Sequence, residues 1–385
     1  MTARAVVSHR GAARWRGGHP WIYRSDVRAE PEPRAPGVVR VADERGEEIG
    51  QALYSPISEI RLRMLDGPGA TIDAEWWTAR VRAAAGRRSG IAATAYRVIH
   101  AEGDGLPSLV ADRYGPVLSV QLLSAGLEAR RSHVVDALEA VLEPGGILLR
   151  NDVPIREREQ LAREIEQVRG TVPDTVEVEA DGVRWLVDVR DGQKTGGFLD
   201  QRENQWLAGT LARGRGLDLF CYEGGFALRM AAGCDSVLAV DQSERALERV
   251  AENAALNDLG NIETRAGNAF DVLRELHDGG SRFETIVLDP PAFAKTRKSL
   301  GRALAGYKDL NMRALGALAG DGHLLTFSCS YHVSRSAFED MLREAAADAG
   351  RRVVLVGRLG AASDHPAVLT IPETAYLKGA ILRVT

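Results

Sequence analysis

Two residues with reactive side chains each come directly after an apolar run in the carboxyl-terminal part of the chain. Asp289 follows the run at 285–288, and Cys329 follows the run at 323–328. A cysteine thiolate adds to electron-poor carbon atoms, and a carboxyl group can share a proton with a nitrogen of a heterocycle. We therefore interpret Asp289 and Cys329 as candidate catalytic residues, and we expect both at or just past the carboxyl ends of strands of one sheet.

The stretch 215–241 predicts a strand, a tight turn at the glycines 224–225, a helix, and a second strand that stops at Asp241. In an open parallel sheet such a unit binds a nucleoside. The glycines let the backbone approach the ligand, and the acid accepts hydrogen bonds from ribose hydroxyls. Asp218 would repel a pyrophosphate, which argues against a nicotinamide dinucleotide. S-adenosylmethionine fits better, because it brings an ammonium, a sulfonium and a diol.

Asp289 opens the sequence Asp-Pro-Pro-Ala-Phe, which predicts a rigid loop after a strand. Pro290 and Pro291 can neither continue a strand nor easily begin a helix. The carbonyl groups of this loop are therefore expected to point outwards and to hold the polar edge of a planar base, while Phe293 stacks on its ring. A plain connection from strand to helix is the alternative interpretation of this segment.

From about residue 190 onward, predicted strands and helices alternate, which favours an α/β domain with a doubly wound, mostly parallel sheet. Residues 1–73 contain short alternating strands separated by Gly and Pro, which predicts a small β domain. Residues 74–186 mix predicted strands and helices, including a charged helix over 155–168. The expected organisation is therefore three domains, at 1–73, 74–186 and 187–385.

Composition restricts the possible classes of protein. The 385 residues are 26% charged and 45% hydrophobic, which is typical of a soluble globular chain, and we expect neither a secretory leader nor a membrane span. The three cysteines, Cys221, Cys234 and Cys329, are scattered, so we expect a cytoplasmic protein without disulfides and without a metal site. Cys234 is expected in the core and Cys221 in the glycine turn.

The distribution of charge predicts contacts with RNA, although the net charge is −4. Residues 1–28 carry six arginines and one acid, and residues 292–302 carry four basic residues and no acid. Tryptophan and tyrosine lie among the first group, as in many proteins that hold RNA. The alternative is a basic surface that contacts only water. The candidate substrate-binding residues are Arg14, Arg16, Trp21, Pro290, Pro291, Phe293 and Lys295.

Taken together, these motifs resemble those of a known family. The segments 217–226, Asp241 and 289–293 resemble class I S-adenosylmethionine-dependent methyltransferases. Further segments narrow the resemblance to the bacterial large-subunit (23S) ribosomal RNA cytosine-C5 methyltransferases; these are 18–23, 104–107, 112–115, 198–204, 326–330, 364–366 and 372–379. The resemblance implies a PUA-like β barrel that binds RNA, an α+β middle domain and a seven-stranded methyltransferase sheet.

The resemblance also implies roles for individual residues. Cys329 corresponds to the catalytic cysteine, and Asp289 is placed between cofactor and base. The implied cofactor-binding residues are Gln201, Arg202, Asp218, Phe220, Cys221, Tyr222, Glu223, Gly224, Gly225, Phe226, Asp241, Gln242, Ser243, Asn268, Ala269 and Asp289. This chain departs from the pattern at Gly197, Gln205, Cys221 and Asn268, where an aromatic residue, Arg, Ser and Asp are common.

Three functions stay open on the sequence. The first is methyl transfer to C5 of a cytosine in naked or partly assembled ribosomal RNA, which needs a thiolate because C5 is a poor nucleophile. The second is methylation of a purine nitrogen through the loop at 289–293, which needs no thiol. The third is a non-catalytic RNA-binding assembly factor. Whether the chain acts as a homodimer is also open, and neither His332 nor His365 is assigned a role.

Overall fold

The structure, a computed structural model, describes residues 3–294 and 296–385. It divides into two compact units. The first comprises the chain up to Ala180, Val187–Leu199 and Asp364–Thr374, and the second comprises Asp181–Leu186, Asp200–Ser363 and Ala375–Thr385. The segments 187–199 and 364–374 thus belong to the first unit, whereas the sequence analysis placed them in the last domain. The further boundary expected at 73 stays a prediction.

The first sheet of the first unit has six strands around a small apolar core. Its elements are β1 (Arg4–Val7), α1 (His9–Arg16), β2 (Trp21–Tyr23), β3 (Val27–Ala29), β4 (Gly37–Asp43), β5 (Glu48–Tyr54) and β6 (Ile60–Asp66). The strand order is β2-β6-β5-β4-β1-β3, and only β1 and β4 pair in parallel. Val41, Ile22 and Leu62 are fully buried in its core. This confirms the expected amino-terminal β domain.

The second sheet of the first unit has five strands, and two helices pack on it. The elements are α2 (Ala74–Gly86), β7 (Ala95–His100), β8 (Leu109–Tyr114), β9 (Val117–Leu122), α3 (Ala125–Glu128), α4 (Arg131–Leu142), β10 (Gly146–Arg150), α5 (Ile155–Arg158) and β11 (Ile165–Gly170), in the order β11-β10-β9-β8-β7. Trp77 and Val81 of α2 join Leu118 and Ile147 in the core.

The helix predicted over 155–168 is wrong. Only Ile155–Arg158 is helical, and Ile165–Gly170 is a strand that pairs antiparallel with β10. The charged residues suggested a solvated helix face. However, the open edge of β10 offers backbone groups that a strand can satisfy, and this tertiary pairing outweighs local helix propensity.

Buried ion pairs hold together distant parts of the first unit. Arg88 donates two hydrogen bonds to the carboxylate of Asp104, at 2.6 and 2.7 Å, and a third to the carbonyl oxygen of Asp364 at 2.7 Å. The backbone N–H of Arg97 donates to the Asp364 carboxylate at 2.9 Å, and the same carboxylate contacts the buried ring of His365. These contacts explain why the segment around Asp364 belongs to the first unit.

The second unit is the expected α/β domain with a doubly wound, seven-stranded sheet. After β12 (Thr175–Ala180) and β13 (Val183–Asp188), its elements are α6 (Arg202–Leu211), β14 (Gly214–Leu219), α7 (Gly225–Ala231), β15 (Cys234–Asp241), α8 (Glu244–Leu256), β16 (Ile262–Ala266), α9 (Ala269–Asp278), β17 (Phe283–Leu288), α10 (Leu300–Ala317), β18 (Leu318–Ser328), α11 (Arg335–Asp348), β19 (Val353–Leu359) and β20 (Lys378–Val384). The strand order is β16-β15-β14-β17-β18-β20-β19, with β20 antiparallel to both neighbours.

The two faces of this sheet carry separate cores because side chains alternate along each strand. In β17, Ile286 and Leu288 pack with α9, α10 and α11, whereas Val287 packs on the opposite face with α7 and α8. The chain order of the strands reverses between β14 and β17. Ligands of open α/β sheets bind beside such a reversal, at the carboxyl ends of the strands. Among the residues that the structure describes, no helix is both long and apolar enough to span a membrane.

Replacing Asp104 by Asn should destabilise the first unit by about 3–5 kcal/mol, because it leaves buried arginine charge without its carboxylate. The free energy of unfolding is measured by chemical denaturation of the full chain. The matched control is Asp340→Asn, which breaks an exposed ion pair with Arg343 and should change stability by less than about 0.5 kcal/mol. Equal effects of the two substitutions would contradict a structural role of the buried pair.

Candidate functional site

The turn after β14 has a strained backbone. Phe220 and Tyr222 have left-handed φ angles of 65° and 49°, and Gly224 has a φ of 85°. Helix α7 begins at Gly225, and a Cβ atom at that position would collide with the side-chain amide of Gln205. Left-handed backbone at non-glycine residues is costly and is concentrated at binding sites. The structure therefore contains the turn that the glycines predicted, with Gln205 packed against it.

Asp218 is a fully buried carboxyl group next to this turn. Its Oδ2 accepts a hydrogen bond from the backbone N–H of Ala227 at 2.9 Å, whereas its Oδ1 is buried and has no donor among the described residues. Burial raises the pKa of Asp218 to about 8, and the nearby charges of Asp289 and Asp241 also favour the protonated form. A buried oxygen without a donor is the type of group that a bound cation or N–H satisfies.

Asp241 ends β15 and is positioned by two backbone hydrogen bonds. Its Oδ2 accepts from the N–H of Tyr222 at 2.9 Å, and its Oδ1 accepts from the N–H of Ser243 at 3.0 Å. Ser243 in turn caps the amino terminus of α8. Each carboxylate oxygen can accept a further hydrogen bond. The partly exposed group thus has the geometry expected for binding a ribose diol, and the neighbouring Gln242 shares its loop.

Further predicted cofactor residues come from two other segments of the second unit. The buried side chain of Gln201 accepts a hydrogen bond from Asn204 at 2.6 Å, and its Nε2 has no acceptor in the described part of the chain. Arg202 is ion-paired with Glu203 at 3.2 Å. Asn268 caps α9, which starts at Ala269, because its Oδ1 accepts from the N–H of Phe270 at 2.9 Å. The second lone pair of this oxygen can still accept from an adenine amino group.

The three thiols differ in exposure. Cys329 is partly exposed, whereas Cys221 and Cys234 are buried. Burial raises the pKa of Cys221 well above its ordinary value, and it raises that of Cys234 to about 11. Neither buried thiol can supply a thiolate at neutral pH, so Cys329 is the one accessible candidate nucleophile among these three. The expectation that Cys234 belongs to the core is confirmed.

Cys329 and Asp289 follow neighbouring parallel strands. Leu288, the last residue of β17, is aligned with Thr326 of β18, so both chains leave the sheet at the same edge. The hydroxyl of Ser330, next to Cys329, accepts from the N–H of Ala294 at 3.1 Å. The two loops are therefore hydrogen-bonded to each other.

The side chain of Tyr307 also contacts both loops, the one after β17 and the one after β18. Its hydroxyl lies 3.0 Å from the Ser330 hydroxyl and donates to the carbonyl oxygen of Pro291 at 3.4 Å. The ring of Phe293 packs 4.6 Å from that of Tyr307 and 5.7 Å from that of Phe270, centroid to centroid. Phe293 remains partly exposed, Pro290 is buried, and Lys295 lies outside the described residues.

The basic residues near the amino terminus interact mainly with acids of the first unit. Arg14 pairs with Asp26 at 3.4 Å, and Arg16 pairs with Asp43 at 3.0 Å. The indole N–H of Trp21 donates to the carboxylate of Glu102 at 2.8 Å. The excess of positive charge in the sequence of this segment is thus largely balanced in the folded unit. The contacts of these residues with RNA stay a prediction.

The sequence analysis assigned no role to three residues around Cys329, namely Tyr307, Ser330 and Lys378. The ammonium group of Lys378 is buried and donates to the carbonyl oxygens of Ser330 and Tyr376, both at 2.7 Å. One signal was present in the sequence, since a lysine is the second residue of the otherwise apolar run 377–382. Its partners are distant along the chain, so the sequence could not identify them.

The chain is similar to known proteins along nearly its whole length. Residues 119–383 match the family model of S-adenosylmethionine-dependent methyltransferases, and residues 6–66 match that of a PUA-like domain. Proteins named ribosomal RNA large subunit methyltransferase I are similar along nearly the whole chain. The one from Tolumonas auensis is 39% identical, and the one from Escherichia coli is 37% identical, each over 95% of both chains. The chain belongs to the ribosomal RNA large subunit methyltransferase I family of S-adenosylmethionine-dependent methyltransferases.

Solved structures show the same fold at lower sequence identity. A Streptococcus mutans protein described as a SAM-dependent methyltransferase covers 99% of this chain and 100% of its own, with a TM-score of 0.83 and 18% identity. A methyltransferase complexed with SAH covers the same shares, with a TM-score of 0.85 and 18% identity. The family model identifies S-adenosylmethionine as the cofactor. The unsatisfied atoms of Asp218 and Gln201 fit its polar groups.

Replacing Asp218 by Asn should weaken binding of S-adenosylmethionine by roughly 10- to 100-fold, the usual value of one charge-assisted hydrogen bond. In the unaltered protein, affinity should rise with pH between pH 6 and 7, by no more than the factor that the Asn variant loses. In this range more Asp218 ionises as the pH approaches its pKa of about 8, while the amino group of the ligand stays protonated. The Asn variant should lose this pH dependence.

Isothermal titration calorimetry at several pH values measures both effects. The control is Asp235→Asn, because Asp235 is an exposed acid on β15 of the same sheet. An unchanged affinity and pH profile in the Asp218 variant would exclude this carboxyl group from the cofactor site.

Proposed function

We propose that the protein transfers a methyl group from S-adenosylmethionine to C5 of a cytosine in 23S ribosomal RNA, through a transient bond between Cys329 and C6. The observation that carries this proposal is the partly exposed thiol of Cys329, at the strand end beside Asp289. Ser330 and Tyr307 hydrogen-bond this segment to the loop at 289–293. A nucleophile and a carboxyl group held side by side suit attack on a pyrimidine ring.

The bond changes of this reaction balance without a further reagent. The Cys329 thiolate forms a bond to C6, and the electrons of the C5–C6 double bond become available at C5. The cofactor would supply an electrophilic methyl group, which C5 takes while the electrons of the broken sulfur–methyl bond stay on the sulfur of the cofactor. A base then removes the proton from C5, the double bond forms again, and the electrons of the S–C6 bond return to the Cys329 sulfur.

Asp289 is the candidate group for contact with N3 and the amino group of cytosine. A protonated carboxyl group that shares its proton with N3 would withdraw electrons from the ring and favour thiolate addition at C6. Phe293 and the prolines of the same loop would contact the base. Phe293 packs against Tyr307 and Phe270, so its ring is held in place rather than free to rotate.

Ribosomal RNA is proposed as the substrate because the similar proteins carry that name and because the chain includes a PUA-like domain. A cytosine inside a stacked helix cannot reach a thiol at the end of a strand, so the target base must leave its stack. Loop RNA, or RNA that is only partly assembled with proteins, allows this at the lowest cost. Ribosomal RNA of bacteria is made in the cytoplasm, where we expect the protein to act.

Methylation of a purine nitrogen is the second candidate, because the loop at 289–293 could hold that base and the nitrogen lone pair needs no thiol. A non-catalytic assembly factor is the third. Mass spectrometry of nucleosides separates the first two by their products, 5-methylcytidine or a methylated purine. The third predicts no product with the purified protein and cofactor.

Replacing Cys329 by Ala should abolish methyl transfer to ribosomal RNA, with a loss of at least about 1,000-fold, because C5 cannot attack without the thiol adduct. RNA that contains 5-fluorocytidine should form a complex with the unaltered protein that survives denaturation. With fluorine on C5, there is no proton for the base to remove, so the bond between Cys329 and C6 cannot break. The assays are transfer of labelled methyl groups and denaturing gel electrophoresis.

The matched control is Cys234→Ala, which removes a buried thiol of the core and should leave transfer intact. Undiminished formation of 5-methylcytidine by the Cys329 variant would refute the covalent mechanism. A methylated purine as the product would favour the second candidate.

A further inference from the structure

Lys378 lies beside the segment that carries Cys329. It is the first residue of β20 and is aligned with Ser328 of β18 in antiparallel register. Its side chain turns inwards, and the residue is only 5% exposed. The ammonium group donates to the carbonyl oxygen of Ser330, the residue after Cys329, and to that of Tyr376, both at 2.7 Å. These bonds place the buried charge against the backbone of Ser330, the residue that follows the candidate nucleophile.

The ammonium group of Lys378 lacks a negative partner in the free protein. Within residues 3–294 and 296–385, no carboxylate forms an ion pair with it, and both of its acceptors are neutral carbonyl groups. A second cation, Arg335, is near and donates to the carbonyl oxygens of Gly379 and Leu359. Burying a charge without a counter-charge is costly, so such groups are usually retained for a function.

The acid that interacts electrostatically with this lysine is Cys329. Burial lowers the pKa of Lys378 to about 8. Interaction with the Cys329 sulfur raises this pKa, because a thiolate stabilises a nearby ammonium group. Two of the three N–H groups of the ammonium are donated to carbonyl oxygens, which leaves one for a further acceptor.

We propose that Lys378 is a positioning residue whose buried ammonium group is the counter-charge of the Cys329 thiolate and whose hydrogen bond to Ser330 orients the thiol-bearing loop. This inference rests on the proposed function, in which Cys329 is the nucleophile. The ammonium keeps its proton throughout. The thiol proton leaves to solvent, and the positive charge stabilises the thiolate. The same charge stabilises the thiolate again when the S–C6 bond breaks.

The other ionisable groups around Cys329 and Lys378 are the same in every variant below, and they include Tyr331 and His332, which follow Cys329 closely in the chain. Burial raises the pKa of Tyr307 on α10, so its hydroxyl stays neutral, and the nearby Arg335 lies on α11. Asp289 follows the neighbouring strand and is the same in every variant below. A change in the acidity of Cys329 on removal of Lys378 therefore reports on this pair.

The test measures the rate of alkylation of Cys329 by iodoacetamide between pH 6 and 10, in the full chain without RNA or cofactor. Peptide mass spectrometry separates Cys329 from Cys221 and Cys234. In the unaltered protein we expect a pKa of Cys329 below the ordinary value of about 8.5. In Lys378→Met we expect that pKa to rise by about one unit, so that alkylation at pH 7 slows about tenfold. Lys378→Arg, which keeps the charge, should restore most of the rate.

The control is Lys308→Met, which removes a positive charge on α10 that pairs with Glu344 and Asp348 and should not alter the titration of Cys329. A pKa of 8.5 or more in the unaltered protein would overturn the proposal, and this measurement does not depend on whether the Met variant folds. An unchanged titration in a folded Lys378→Met protein would overturn it as well.

Failure of this inference is distinguishable from failure of the proposed function. The alkylation assay reports the acidity of Cys329 without any methyl transfer. If Cys329→Ala still forms 5-methylcytidine, the covalent mechanism is wrong whatever the titration shows. If Cys329 is essential but its acidity is independent of Lys378, only the role of the lysine is wrong.

Discussion

The hydrogen bonds around Ser330 are the interaction on which the candidate site depends. Its hydroxyl accepts from Ala294 and contacts Tyr307, while its carbonyl oxygen accepts from Lys378. These three partners come from the loop after β17, from α10 and from β20. One serine thereby fixes the residue that precedes it, Cys329, relative to the loop of Asp289. Catalytic groups need such support, because a small error in their position costs much of the rate.

Burial shifts the ionisation of two groups in the second unit in opposite directions. It raises the pKa of Asp218 to about 8 and lowers that of Lys378 to about 8. Each shift weakens the charged form because no opposite charge from the protein is at hand. Such perturbed groups cluster at functional sites, where ligands supply the missing charge. In the proposed reaction, the cationic cofactor would supply the charge opposite to Asp218, and the Cys329 thiolate would supply the charge opposite to Lys378.

The first unit uses its polar residues differently. Arg88 and Asp104 are buried and fully paired, and they join segments almost 280 residues apart through Asp364. Its arginines near the amino terminus pair with Asp26 and Asp43 instead of forming an uncompensated basic surface. Charge that is already balanced attracts RNA weakly, so recognition by this unit would depend on shape and stacking rather than on net charge.

The sequence by itself determined the elements whose signals are local. Alternating strands and helices identified the doubly wound sheet, and the glycines at 224–225 and the acid at 241 identified the turn and the strand end, since each reflects a backbone requirement of its own segment. The strand at 165–170 and the contacts of Lys378 depended on partners distant in the chain. Only the tertiary structure could decide them, because burial and strand pairing are properties of surfaces that meet after folding. For the same reason, the sequence could nominate Cys329, but only the fold could set it apart from the two thiols that burial makes inert.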